Sequence, residues 1–239
     1  ACRTVISRSS TISVAATKSY ICTLSAILHL AARWREDVAL LDALFAVPEK
    51  LHEGWDMDWT PLVDGLAAAR NMFVIGRGFG FGVALEAALK FKETCALHAE
   101  AFSAAEVRHG PMALVGRDFP VLFFSQRDDT RAGTLTLARE FRERGAQVFV
   151  AAPGGDADAL AVPESAHPAC TPLLEIQSFY RAASALSLRG GVNPDVPPHL
   201  RKVTETLGCS PHWSMRACSA TRASLKAGRS GPLRRTSWT

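Results

Sequence analysis

No apolar run in this 239-residue chain approaches the roughly 18–20 residues that a bilayer-spanning helix requires, so a membrane span is not expected. Cysteines are scarce and scattered, at 2, 22, 95, 170, 209 and 218, and none forms a CxxC pair. That spacing suggests neither a zinc ribbon nor a disulfide framework, and the reading is reduced thiols in a cytoplasm. The opening "ACRTVISRSS" has basic residues with no apolar segment behind them, so no secretory signal is read there. Acids are missing altogether between Cys209 and Thr239, where Arg216, Arg222, Lys226, Arg229, Arg234 and Arg235 stand alone. The whole chain is formally +4, so the remaining body is at −2. A weakly acidic body with a basic tail is not the charge layout of a nucleic-acid-binding domain. The tail has no apolar periodicity either, and is read as a disordered or non-native appendage.

What is present is an alternation of helical and strand patterns. "TKSYICTLSAILHLAARW", residues 17–34, places apolar residues at 21, 24, 27, 28 and 31, the spacing of a helix face. A second helix is predicted from Asp37 to Leu51, interrupted near Pro48. Met72–Ile75, Pro120–Phe124 and Gln147–Ala151 are short continuous apolar runs, as buried parallel strands are. "ALAVP", residues 159–163, is read as a fourth, short strand. Helices are predicted over 83–94, 130–144 (with Gly145 as cap) and 172–188. Strands alternating with helices imply an α/β fold, a parallel sheet sandwiched by helices.

Two features carry chemical interest. "GRGFGFG" follows a strand and opens a helix, where glycines permit close backbone approach and a helix N-terminus favours anions. Its third glycine is out of place for a dinucleotide fingerprint, and no acid follows a second strand, so a turn near a sugar phosphate is preferred to a nicotinamide site. On the helix that follows, Glu86, Lys90 and Glu93 share one face. They read either as a solvated ion-pair ladder, stabilising by a few tenths of a kcal/mol, or as a carboxylate base held by lysine charge. His109, before Gly110–Pro111, reads either as a turn histidine or as a group able to exchange a proton near neutral pH. Lys202 in "HLRKVTE" has the plain look of a surface lysine.

The stretch "ALEAALKFKETCALHAEAFSAAEVRHGPMALV" resembles the second sugar-isomerase (SIS) domain of the isomerising glucosamine–fructose-6-phosphate aminotransferases, and more closely the SIS-type glucosamine-6-phosphate deaminases, which lack a glutaminase half. "SVAATKSY" resembles the segment near the end of the first SIS domain, and "PPHLRKVTET" the C-terminal lysine segment; together the likeness covers about residues 12–207. It implies a three-layer αβα SIS fold with residues 1–11 atypical, 12–54 the end of a first SIS domain, 55–208 a complete second one, and 209–239 the tail. It implies that Glu93 carries a proton between C1 and C2 of an open-chain sugar, with Lys90 beside it. His109 falls on a histidine that helps open the ring and is supplied across a homodimer interface. Lys202 falls on a lysine that contacts the sugar carbonyl or forms an imine with it. Val14, Ala15, Thr17 and Arg201 fall on substrate-binding segments. No metal or organic cofactor is implied, and the partner is a sugar phosphate.

The chain departs from that pattern at both ends. Thr11 stands where the family tends to carry an acid, and the serine- and threonine-rich loops that hold the phosphate in the first SIS domain precede the point where this sequence opens. The sequence therefore predicts ends out of register with the family and a chain that carries the acid–base groups but lacks most of the phosphate clamp. The activity expected is aminosugar-phosphate deamination with isomerisation. The alternatives are the synthetic direction, as the isomerase part of an aminotransferase, and a non-catalytic phosphosugar-binding module.

Overall fold

The structure, a computed structural model, describes residues 14–154 and 159–200. Strand β1 (Asn71–Gly76) lies second from one edge of a five-stranded, all-parallel sheet. The others are β2 (His98–Ser103), β3 (Pro120–Phe124), β4 (Gln147–Pro153) and β5 (Leu160–Val162), in the order β2-β1-β3-β4-β5. Phe73 pairs with Glu100 on one side and Val121 on the other. Apolar residues run unbroken along β1 and β3 because both faces of the sheet are covered. Met72, Val74, Leu122 and Phe124 point to one core, and Phe73, Ile75, Val121 and Phe123 to the other. The period of two along a strand produces this division.

Helices α4 (Phe79–Cys95) and α6 (Thr171–Arg189) cover the first face together with α3 (Thr60–Leu66), through Phe91, Phe179 and Leu62. Helix α5 (Arg131–Glu143) covers the second face through Leu137, Ala138 and Phe141. Helices α1 (Lys18–Trp34) and α2 (Val38–Asp56) form a third cluster, packing Leu28, Ala32, Leu44 and Val47 against Ala169, Cys170 and Leu173. The compact unit ends at Leu200, and residues 201–239 lie outside the described part.

Three differences from the sequence reading have physical causes. First, α2 is not interrupted at Pro48 but continues to Asp56. Pro48 is exposed, Val47 is in the core, and Ser178 Oγ donates to the Gly54 carbonyl (2.8 Å) while Arg181 donates to that of Trp55 (2.6 Å). Tertiary contacts therefore take up the last carbonyls and offset the proline's missing hydrogen bond. Second, α4 starts at Phe79 rather than Val83, because Gly78 adopts a positive φ of 56° ahead of it and Gly80 packs on Gln126. A Cβ on Gly76 would sit 2.2 Å from the Gly80 carbonyl oxygen, so only glycine permits this approach of strand to helix. Third, "HAEAFS" is a strand. It is the sheet edge, with its polar residues exposed, and lacks the apolar run that marks the others.

Candidate active site

Helix α4 runs antiparallel to the strands, from the carboxyl edge of the sheet at Phe79 to the amino edge at Cys95. Its last turn carries Glu93. Ala96 terminates it in the left-handed conformation (φ 52°), and the backbone N–H of Leu97 donates to the Phe91 carbonyl (3.2 Å). That closure returns the chain into β2. A left-handed alanine costs about 1–2 kcal/mol, so the turn that aims this helix end is held by its surroundings.

The three charged residues of the α4 face are not a solvated ladder. Lys90 is 3% exposed, and its Nζ donates to Glu93 Oε2 at 2.5 Å and lies 3.6 Å from Glu86 Oε1. Glu86 is buried too, and its Oε1 accepts from the Tyr180 hydroxyl of α6 at 2.8 Å. Only Glu93 reaches outward, with a quarter of its side chain (26%) exposed. Burial pushes the Glu86 carboxyl above the usual carboxylate range, against the opposing effect of the Tyr180 hydrogen bond and the Lys90 charge. Burial also raises the Tyr20 phenol to about 12, with the Glu86 charge adding to it, and raises Tyr180 for the same two reasons. Both phenols therefore remain neutral, and Tyr180 is the donor to Glu86. The result is one buried ionic chain, Tyr180–Glu86–Lys90–Glu93, whose open end is a carboxylate.

Other predicted site residues distribute unevenly. Val14 donates its backbone N–H to the Asp195 carbonyl (3.3 Å), in the segment after α6. Ala15 is buried, and the Thr17 carbonyl accepts from Ile21 as α1 begins. Tyr20, in the first turn of α1, packs beside Gly82 and Glu86 of α4. The Val14–Thr17 segment is thereby joined to the helix that carries Lys90 and Glu93. Arg201 and Lys202 lie outside the described residues. His109 is exposed in the 3₁₀ turn Val107–His109 that follows β2, where Val107 packs in the core on the α5 face and Arg108 pairs with Glu140 of α5. Glu93 is fourteen residues along α4 from Phe79, about 21 Å at 1.5 Å per residue. The turn that carries His109 thus packs on the α5 face of the sheet, while Glu93 stands on α4, which covers the other face. The same length of helix separates Glu93 from the "GRGFGFG" turn, which stands at the other end of α4 from the Lys90–Glu93 ion pair.

Sequence reasoning missed a second buried polar group at the carboxyl edge. Gln126, after β3, donates through Nε2 to Glu175 Oε2 (2.7 Å), and both are fully buried. Burial, aided by the nearby Asp128 charge, pushes Glu175 up to about 8. Nothing in the sequence pairs residues 49 apart. A carboxyl raised in this way is protonated in the folded state and ionised in the unfolded one between about pH 4.5 and 8, so folding stability falls as pH rises through that window. Glu175→Gln is expected to remove this loss. The variant's urea midpoint would exceed wild type at pH 9 and lie close to it at pH 5; equal midpoints at pH 9 would show that Glu175 ionises freely.

Among the described residues no helix is long and apolar enough to cross a membrane, and no cluster of three or more His, Cys, Asp or Glu could hold a metal ion. A family model described as SIS domain matches residues 65–161, which include β1, α4 and Glu93. Glutamine–fructose-6-phosphate aminotransferase [isomerizing] of Chlorobaculum tepidum is 36% identical over 180 residues, covering 70% of this chain and 29% of that protein. Its counterpart from Thermotoga maritima is 34% identical over 210 residues, covering 80% and 34%. The match thus spans about a third of the length of these relatives. A crystal structure assigned as a phosphosugar isomerase, from Silicibacter pomeroyi, superposes with a TM-score of 0.72 at 41% identity, covering 77% of this chain and 57% of that one. Glucosamine-6-phosphate deaminase from Thermotoga maritima superposes with a TM-score of 0.63 at 25% identity, covering 80% and 57%.

Proposed function

Because the chain belongs to the sugar-isomerase (SIS) domain family, we propose that it moves a proton between C1 and C2 of an open-chain hexose or hexosamine 6-phosphate, as the isomerase part of an aminosugar-forming enzyme. The observation that carries this reading is the Glu93 carboxylate, partly open to solvent and 2.5 Å from the otherwise buried ammonium of Lys90. A carboxylate takes the proton from the carbon beside the carbonyl and returns it to the neighbouring carbon on the same face of the enediol. The ammonium beside it, itself withdrawn from water, offsets the negative charge that builds on the enediolate oxygen. His109 opens the sugar ring from the second protomer of a homodimer, an arrangement supported by its exposure and by its turn packing on the face of the sheet opposite α4. Val14–Thr17 line the pocket, and the roles that the resemblance implies for Arg201 and Lys202 fall outside the described residues. Residues 12–54 are the end of a preceding SIS domain, and 55–208 the second.

The likeness to the deaminase structure supports a second reading, in which the same proton shift expels the C2 amino group as ammonia. The identities to the aminotransferases, over most of this chain, favour the first. One experiment separates them. The full chain is incubated with fructose 6-phosphate in deuterium oxide and, separately, with glucosamine 6-phosphate, following deuterium uptake by NMR and ammonia by a coupled assay. Deuterium uptake without ammonia supports the isomerase. Ammonia release supports the deaminase. Binding of either sugar phosphate with neither signal would overturn both in favour of a non-catalytic module.

A further inference from the structure

The buried chain behind Glu93 has more members than base and partner require. Lys90 has a long, flexible stem and two carboxylates within reach, so its ammonium position is set by how both are held. Glu86 Oε1 accepts from the Tyr180 hydroxyl at 2.8 Å and faces Lys90 Nζ at 3.6 Å. One oxygen thus receives a donor from α6 while presenting charge to the lysine on α4. Tyr180 in turn follows Phe179, which is fully buried and stacks edge-on against Phe91 with centroids 5.0 Å apart. The packing of α6 on α4 therefore fixes the height at which the tyrosine meets the glutamate. Helical spacing does the rest. Glu86 is one turn before Lys90 and Glu93 one turn after it, so a carboxylate fixed behind the ammonium holds it at the depth where the other contact is 2.5 Å.

We propose that Glu86 and Tyr180 are positioning residues, which hold the Lys90 ammonium against Glu93 without touching substrate. The assignment rests on the isomerase reading for its consequence in turnover, but not for the contact network itself. It predicts that removing the Glu86 charge, or the hydroxyl that orients it, releases Lys90 while leaving the pocket that binds sugar phosphate in place.

The test uses Glu86→Gln and Tyr180→Phe in the full chain, both close in shape to the residues they replace. Reductive methylation with formaldehyde and borohydride, read by mass spectrometry, compares Lys90 with the exposed Lys92 on the same helix. The Lys90-to-Lys92 labelling ratio is expected to rise about tenfold in Glu86→Gln, as the lysine loses one of the two carboxylates that hold it inside and swings into reach of the reagent, and about threefold in Tyr180→Phe. In turnover, kcat is expected to fall about 10–100-fold with KM changed less than about threefold, the split of a misplaced catalytic group rather than lost binding. A labelling ratio within twofold of wild type in both variants would overturn the proposal. So would increases matched by faster amide exchange throughout the core, which would mean general loosening. If the wild-type chain shows no isomerisation, the functional reading fails, and the labelling ratio still decides whether Glu86 and Tyr180 hold Lys90.

Discussion

Glu93→Gln is expected to lower kcat for deuterium exchange between solvent and fructose 6-phosphate by about 10²–10⁴-fold, the usual worth of a positioned general base. Sugar-phosphate affinity should change little. Glutamine has the same shape and still offers Lys90 Nζ an acceptor oxygen, so the buried chain loses a charge but not a hydrogen bond. On the proposed assignment, what disappears is the capacity to take a proton from carbon and give it back. NMR-detected exchange and isothermal titration with the sugar phosphate together check this. Near-wild-type exchange in the variant would mean that another group carries the proton, and the assignment of Glu93 would be lost.

Phe179→Ala is expected to reduce folding stability by about 3–5 kcal/mol, among the larger costs of any single truncation here. The ring is fully buried and makes edge-on contacts with Phe91 (5.0 Å between centroids) and Phe124 (6.3 Å). It therefore joins α6, α4 and β3 in one core. Removing it leaves a cavity between elements that cannot close without moving the sheet. With a denaturant slope of about 2–3 kcal/mol per M urea, the midpoint should fall by about 1–2 M. A change below about 1 kcal/mol would mean that α6 repacks freely on α4. In that case the depth of Tyr180, and with it the placement of Lys90, would be adjustable rather than set by the core.

The legible and illegible parts of the fold differ in kind. β3 lies over Pro120–Phe124 as the apolar run predicts, since a strand buried on both faces has no polar positions to blur it. β2 escaped notice because an edge strand needs only one neighbour and keeps His98 and Glu100 in solvent. Pro48 misled for a related reason. A proline's cost is local, while the contacts that carry α2 past it come from Ser178 and Arg181, more than a hundred residues away. At the site, spacing alone placed Glu86, Lys90 and Glu93 on one face. It did not distinguish a solvated ladder from a buried chain, because burial depends on what α6 lays over that face.

The residues themselves determined that this is a parallel α/β chain, that a carboxylate and an ammonium stand one helical turn apart, and that the stretch around them resembles the SIS domains. Period and side-chain chemistry are local, so they survive in a bare sequence. Only the tertiary structure decided that the ammonium is withdrawn from water, that Tyr180 closes the far end of its ion pair, and that the His109 turn and Glu93 stand on elements covering opposite faces of the sheet. Those outcomes depend on which helix covers which face and on the direction in which each crosses it, and non-local packing settles both.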